Sequence, residues 1–316
     1  MKKRTILAFL AAVCVCMEIF SGCSGTESAE ESVKEEAGET AEKSAKTEAG
    51  ETAEKSAKTE AEKTTEKSVK EEAGETAEKP TKAESEEILI AAAASLKNAY
   101  EEDLIPMFQE RYPQITVKGT YDSSGKLQTQ IEEGLEADVF MSAAVKQMKS
   151  LDEGGWIASE TVVDLLENKI VLIVPAGQEE GFTAFEEIVK ADSIALGDPE
   201  SVPAGQYARE ALTRLGLWED VSAKASFGTN VTEVLNQVAA ASADAGIVYA
   251  TDAASMADKV SVVAQAPEGS LSAKVIYPVA VVKGTAHREA ADCFVKFLTS
   301  QEAIEVFQSY GFTERK

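Results

Sequence analysis

Short apolar runs alternate with segments of helical period from residue 88 to the end of the chain. The runs are ILIAA (88–92), ITVKG (115–119), ADVFMSA (137–143), KIVLIVP (169–175), SIALG (193–197), KASFG (224–228), DAGIVYA (244–250), KVSVVA (259–264) and KVIYPVAVV (274–282). Between them the pattern predicts helices over 95–111, 125–134, 144–153 and 231–241, one beginning near Pro203, and two closing helices around 288–310. Strands alternating with helices in this way predict an α/β fold with largely parallel sheets. The span exceeds one ordinary domain, which points to two α/β lobes. Such folds place ligands beyond the carboxyl ends of strands, where strand passes into helix.

The pattern before residue 88 is different. Lys2, Lys3 and Arg4 precede the apolar stretch Ile6–Met17. A spanning helix needs about 20 apolar residues, so this shorter run is read as a secretory signal over residues 1–22. Phe20-Ser21-Gly22-Cys23 then resembles the lipobox of bacterial lipoproteins, with Phe20 where an aliphatic residue is usual. That resemblance implies cleavage before Cys23, lipidation of its thiol and anchoring outside the cytoplasm. Residues 23–87 form an acidic linker in which a 12-residue unit recurs, EAGETAEKSAKT at 36–47 and again at 48–59. It has no apolar stripe and cannot form a core. Of the four cysteines, Cys14 and Cys16 leave with the signal and Cys23 takes the lipid. Only Cys293 then remains, so the folded region is expected to hold without an internal disulfide.

Charge and composition narrow the chemistry. The chain carries 31 basic and 55 acidic residues, a net charge of −24. A surface this acidic excludes nucleic-acid binding through phosphate contacts. His287 is the single histidine, which excludes a histidine-rich metal centre and makes Ser-His-Asp catalysis rest on one residue in GTAHREA. No G-x-S-x-G occurs. The near-match to a phosphate loop, Gly119 to Leu127, has Leu where Ser or Thr must hold magnesium. These observations point away from an enzyme.

The strand-to-helix junctions share one character. Ser95 stands at the first, after four alanines, and Ser123-Ser124-Gly125 at the second. Pro203-Ala204-Gly205 follows SIALG, and Gly228-Thr229-Asn230-Val231 follows KASF. Each offers backbone N–H groups at a helix start, with hydroxyls nearby and few cations. That is how a protein binds an anion without a charge partner. Small side chains let the ligand approach the backbone. For any one junction, a serine serving only as a helix cap explains the pattern equally well.

The stretches AAASLKNA, SSGKLQTQIEEG-ADVFMSA, GDPESVPAGQYAREAL, NVTEVL, AGIVYATDA, YPVAVV and FQSYGF together resemble the molybdate-binding proteins of bacterial ABC importers. The resemblance covers Ile88 to Phe312. It implies a two-lobed periplasmic-binding-protein-like fold of type II, each lobe a mixed, mainly parallel sheet flanked by helices. Residues 88–168 and 277–316 would form lobe 1 and residues 169–276 lobe 2, with KIVLIVP and VIYPVAVV as hinge strands. It further implies a tetrahedral oxyanion, molybdate or tungstate, held by Ser95 and Ser124 through hydroxyl and N–H, by the N–H groups of Ala204 and Val231, and by the Tyr249 hydroxyl. Molybdenum or tungsten would enter as the oxyanion through those residues, with no other cofactor or metal. An ABC permease is the implied partner, and a monomer the default state. Two departures from the family pattern are Lys126, where small hydroxyl residues are common, and Thr232, where arginine is common. Another tetrahedral oxyanion such as sulfate, or a ligand-sensing lipoprotein not coupled to transport, remain open alternatives.

Overall fold

The structure is a computed structural model that describes residues 85–316. The signal segment 1–22, Cys23 and the repeats of the linker lie outside the described residues. Eleven strands form two sheets. β1 (Glu86–Ala93), β2 (Ile115–Asp122), β3 (Val139–Met141), β4 (Val163–Asn168), β10 (Val275–Val281) and β11 (Thr313–Glu314) form the first, in the order β11-β4-β10-β3-β1-β2. β5 (Ile170–Pro175), β6 (Ile194–Gly197), β7 (Ala225–Gly228), β8 (Ala245–Tyr249) and β9 (Val260–Gln265) form the second, in the order β7-β6-β8-β5-β9.

Both sheets are mixed. β1 runs parallel to β2 and β3, and β6 parallel to β7 and β8, whereas β10 is antiparallel to β3 and β4, and β5 to β8 and β9. The antiparallel pairs belong to the strands that carry the chain between sheets. Only Lys169 separates β4 from β5, so the chain leaves one sheet and enters the other within a single residue. The return runs from β9 through residues 266–274 to β10. A rigid strand pair meeting at one residue is a natural hinge.

Helices pack on the sheet faces: α1 (Lys97–Ala99) and α2 (Ile105–Arg111), α3 (Ser124–Glu132), α4 (Val145–Glu153), α5 (Pro203–Arg214), α6 (Trp218–Ser222), α7 (Val231–Ala239), α8 (Ala250–Ser255), α9 (Arg288–Leu298) and α10 (Gln301–Ser309). The first helical segment is not the single helix that the 95–111 pattern predicts. A 3-10 turn at Ala94–Leu96 precedes α1, and a π turn at Tyr100–Leu104 separates α1 from α2. Pro106 has no N–H for the residue one turn earlier, and the ladder widens just before it. β4 and α8 also carry no clear sequence signal. In VDLLEN the polar ends mask the strand period, and α8 is too short for its period to register.

The core is continuous from one sheet to the next. Aromatic rings of Tyr100, Phe108, Phe294, Phe297 and Phe307 cluster under β1, and a smaller apolar group of Leu127, Ile131, Phe140, Met148 and Leu151 fills the opposite face beneath α3 and α4. This packing fixes the ends of β1, β2, β6 and β7, from which the candidate site is built.

Candidate functional site

Four helix starts converge on the cleft between the sheets. β1 delivers Ser95 on its 3-10 turn, and β2 delivers Ser124 as the first residue of α3. β6 delivers Ala204 in the first turn of α5, and β7 delivers Val231 as the first residue of α7. Tyr249 ends β8. All five line one small cavity with Asp122 and Ala143 among its other walls, and its volume is about 10 Å³. A cavity this small suits a compact, dehydrated ion and not an organic ligand of ordinary size.

The local chemistry at each start leaves N–H groups or hydroxyl protons directed at this space. α5 opens with Pro203 and has no side-chain cap, so its first N–H groups have no side-chain partner. At α7, Asn230 Oδ1 accepts the Glu233 N–H at 3.0 Å, and the Glu233 carboxylate accepts the Thr229 N–H at 2.7 Å. This reciprocal capping consumes donors on either side of Val231 and not Val231 itself. Gly205 allows α5 to start directly against β6: a methyl there would lie 2.0 Å from the Gly197 carbonyl oxygen.

Ser124 is fully buried, and its Oγ accepts the Ala143 N–H at 3.0 Å. The hydroxyl proton is therefore free to point elsewhere. The Ala143 carbonyl accepts the Tyr249 hydroxyl at 3.4 Å, which joins the two sheets across the cavity. Burial pushes the Tyr249 phenol well above its ordinary pKa, with Tyr277 adding to the effect. It is a protonated donor at any physiological pH.

Other contacts also join the two sides. Gly125 N–H donates to the Ser201 carbonyl at 3.0 Å, Asn230 Nδ2 to Asp122 Oδ1 at 3.3 Å, and Gln147 Nε2 to Gln206 Oε1 at 3.0 Å. Each links an element of the first sheet to one of the second, so the conformation is closed.

One carboxylate stands at the cavity wall. Asp122 Oδ1 accepts the Ser123 N–H at 2.7 Å, and the Lys126 ammonium lies 3.4 Å from the same oxygen. Together with Asn230, these donors surround the carboxylate, and Lys126 is committed to it. The site thus combines neutral donors with one internally neutralised ion pair. Among the described residues no group of three or more His, Cys, Asp or Glu side chains is placed to hold a metal cation.

Several contributors escape sequence reasoning. Tyr277 lies in the aliphatic run VIYPVAVV, yet its hydroxyl is 2.9 Å from Ser95 Oγ and 3.2 Å from Asn168 Nδ2. Its only sequence signal is a lone polar-tipped ring in a buried strand. Asp252, in the first turn of α8, accepts the Tyr249 N–H at 3.2 Å, and burial pushes its pKa up to about 7. Asp122 and Asn230 read as ordinary turn residues until their contact is known.

The comparisons with known proteins agree with this geometry. Residues 88–313 match the family model for bacterial extracellular solute-binding proteins. The chain is 42% identical over 226 residues to YvgL of Bacillus subtilis, whose name describes an ABC-transporter substrate-binding lipoprotein, with 72% of this chain and 86% of that protein covered. It is 40% identical over 235 residues to the molybdate-binding protein ModA of Escherichia coli, covering 72% and 89%. The solved periplasmic molybdate-binding protein of Azotobacter vinelandii superposes with a TM-score of 0.65 at 22% identity, covering 72% of this chain and all of that one, a likeness of fold. With two mixed sheets joined at a hinge, a small cleft between them and a family match over most of its length, the chain belongs to the bacterial extracellular solute-binding proteins.

Proposed function

We propose that this protein captures molybdate, and tungstate with it, between its lobes and presents the closed form to an ABC permease. Ser95, Ser124, Ala204 and Val231 supply donors, and the Tyr249 hydroxyl joins them by turning its proton from the Ala143 carbonyl, 3.4 Å away, to the anion. The observation that carries the reading is that these five residues, from five separate junctions, line one compact cavity, while relatives at 37–40% identity are named for molybdate binding. Cys23 supplies the membrane anchor, and the chain works outside the cytoplasm as a binder and not an enzyme.

Neutral donors suffice energetically. Hydrogen bonds to a charged group contribute about 1.5–3 kcal/mol each. Five of them sum to about 7.5–15 kcal/mol, a range whose upper part covers the roughly 8 kcal/mol of micromolar affinity together with the cost of closure. Specificity follows from the donor set. Hydrogen phosphate carries a proton that needs an acceptor, and the one carboxylate at the wall, Asp122, already receives Ser123, Lys126 and Asn230. Sulfate is smaller than molybdate and reaches fewer donors in a fixed ring.

Calorimetric titration of the full chain with molybdate, tungstate, sulfate and phosphate tests this. The expected result is one-to-one binding of the first two, weakened about tenfold or more by Ser124→Ala or Tyr249→Phe. Sulfate or phosphate binding as tightly as molybdate would refute the assignment.

A further inference from the structure

Beneath Ser95 lies a partly buried chain of polar groups whose hydrogen-bond directions can be fixed in sequence. It begins at the hinge. The Lys169 N–H, which can only donate, lies 2.8 Å from Asn168 Oδ1. That contact sets the orientation of the Asn168 amide, an assignment that otherwise rests on the surrounding network. Nδ2 must then face the other way, where it lies 2.9 Å from Thr251 Oγ1 and 3.2 Å from the Tyr277 hydroxyl. An amide nitrogen only donates, so the Tyr277 oxygen accepts. Its single proton remains with two hydroxyls beside it, Ser95 Oγ and the more distant Tyr249. Ser95 Oγ is the one at full hydrogen-bond distance, 2.9 Å, while Tyr249 gives its own proton to the Ala143 carbonyl. Tyr277 is fully buried, so water does not compete for that proton. Ser95 Oγ then accepts, and its own proton is left to point into the cavity.

We infer that Tyr277 is a positioning residue for anion capture: with Asn168 behind it, it forces the Ser95 hydroxyl to act as a donor toward the bound oxyanion. The inference rests on the oxyanion reading of the site and adds a determinant that touches no ligand. A free serine hydroxyl can turn either way and donate or accept. One held by a donating tyrosine presents a proton, and each link polarises the next. The relay runs from the hinge residue to the ligand, and the same amide holds Thr251 on α8 in the other lobe. Ser124 is set by the same logic through a different donor, the Ala143 N–H. Two hydroxyls in the cavity thus have their acceptor role filled from behind, which tunes the site to a ligand that only accepts.

The test is a double-mutant cycle read by calorimetry on the full chain with molybdate as the probe. Tyr277→Phe is expected to weaken binding by roughly tenfold, as is Ser95→Ala, the worth of one charge-assisted bond. Because Tyr277 acts through Ser95, adding Tyr277→Phe to Ser95→Ala should cost no further affinity. Losses that multiply would show a general effect on packing and overturn the inference, as would Tyr277→Phe binding within twofold of wild type. Asn168→Asp supplies a second arm that leaves the tyrosine in the core. Its carboxylate accepts the Tyr277 proton and reverses the relay, so it should weaken binding several-fold more in the presence of Ser95 than in the Ser95→Ala background, where only its added charge acts. Equal losses in the two backgrounds would again overturn the relay. Wild-type protein that binds no oxyanion would overturn the functional reading and the relay with it. Wild-type binding with an unaffected Tyr277→Phe variant removes the relay alone.

Discussion

Gly125→Ala separates closure of the lobes from stability of the fold. Gly125 is the second residue of α3, and its N–H donates to the Ser201 carbonyl across the cleft at 3.0 Å. A methyl group at this position would lie 2.3 Å from that carbonyl oxygen and 2.8 Å from Ser201 Cα, where ordinary contact begins near 3.4 Å. Both clashing partners are backbone, so relief requires the lobes to part by about 1 Å at this point. The bond to Ser201 then stretches to roughly 4 Å and ceases to be one. Its loss costs about 0.5–1.5 kcal/mol, and an anion that cannot span the widened cavity gives up at least one charge-assisted bond worth about 1.5–3 kcal/mol. The sum, near 3 kcal/mol, is roughly a hundredfold in affinity. Stability should move the other way or not at all, since alanine favours a helix over glycine by up to about 1 kcal/mol. Titration with molybdate and a thermal melt of the ligand-free chain read the two quantities separately. Gly205→Ala is the contrast: its methyl would lie 2.0 Å from the Gly197 oxygen within one lobe. No hinge relieves that overlap, and the melt itself should fall. Gly125→Ala binding within threefold of wild type would refute the argument that this contact belongs to the ligand-binding conformation.

Further outcomes follow from the charges around the site. Asp252 is buried with Tyr249 and Tyr277 beside it, and it lines a crevice shared with Lys97 and Tyr310. Its pKa of about 7 lies above the ordinary carboxylate value, so the folded state holds this proton where the unfolded chain releases it. Its contribution is therefore greatest below about pH 4 and is lost as pH rises to 7, by on the order of 2–4 kcal/mol in all. Asp252→Asn keeps an acceptor for the Tyr249 N–H and should flatten the difference between melts at pH 5 and pH 8. An unchanged difference would contradict the burial argument. Lys126→Met removes the ammonium 3.4 Å from Asp122 and leaves at the cavity wall a carboxylate with neutral donors but no counter-charge. Molybdate affinity should drop about threefold to tenfold at low ionic strength and recover part of that with added salt; an effect independent of salt would assign Lys126 a packing role instead.

The parts of this molecule legible in sequence are those whose physics is local. A proline followed by small residues after an apolar run marks a helix start, and Pro203-Ala204-Gly205 forms one. Asn230 with Glu233 three residues on is a capping pattern, and it caps α7. Such signals place Ser124, Ala204 and Val231 at helix starts without reference to the rest of the chain. Motif resemblance supplies the remaining step, which of many helix starts face one another. Periodicity fails where its window is too short, as at α8, or where a single residue perturbs it, as Pro106 does to the first helix.

What sequence could not convey are roles that a residue acquires from a distant partner. Ser95 and Tyr277 are 182 positions apart, Asn168 and Tyr277 are 109 apart, and Asp122 and Asn230 are 108 apart. Read alone, Tyr277 is a ring in a buried strand and Asn168 a polar residue at a strand end. Each becomes functional only because the chain crosses twice between the sheets and returns β10 beside β4 and β3. The same crossing explains why the donors behind the ligand sit at the hinge. On the proposed relay, the Ser95 hydroxyl keeps its aim as the lobes move, since Tyr277 and Ser95 both belong to the first sheet or its adjoining turn, and Asn168 at the end of β4 ties them to Thr251 of the other lobe. On the proposed site, closure would then bring the second lobe's N–H groups and Tyr249 to an anion already held by the Ser95 and Ser124 hydroxyls. The order of events in capture is thereby built into which lobe holds the prearranged hydroxyls, and the lobe that carries Ser95 and Ser124 is the one that should bind first.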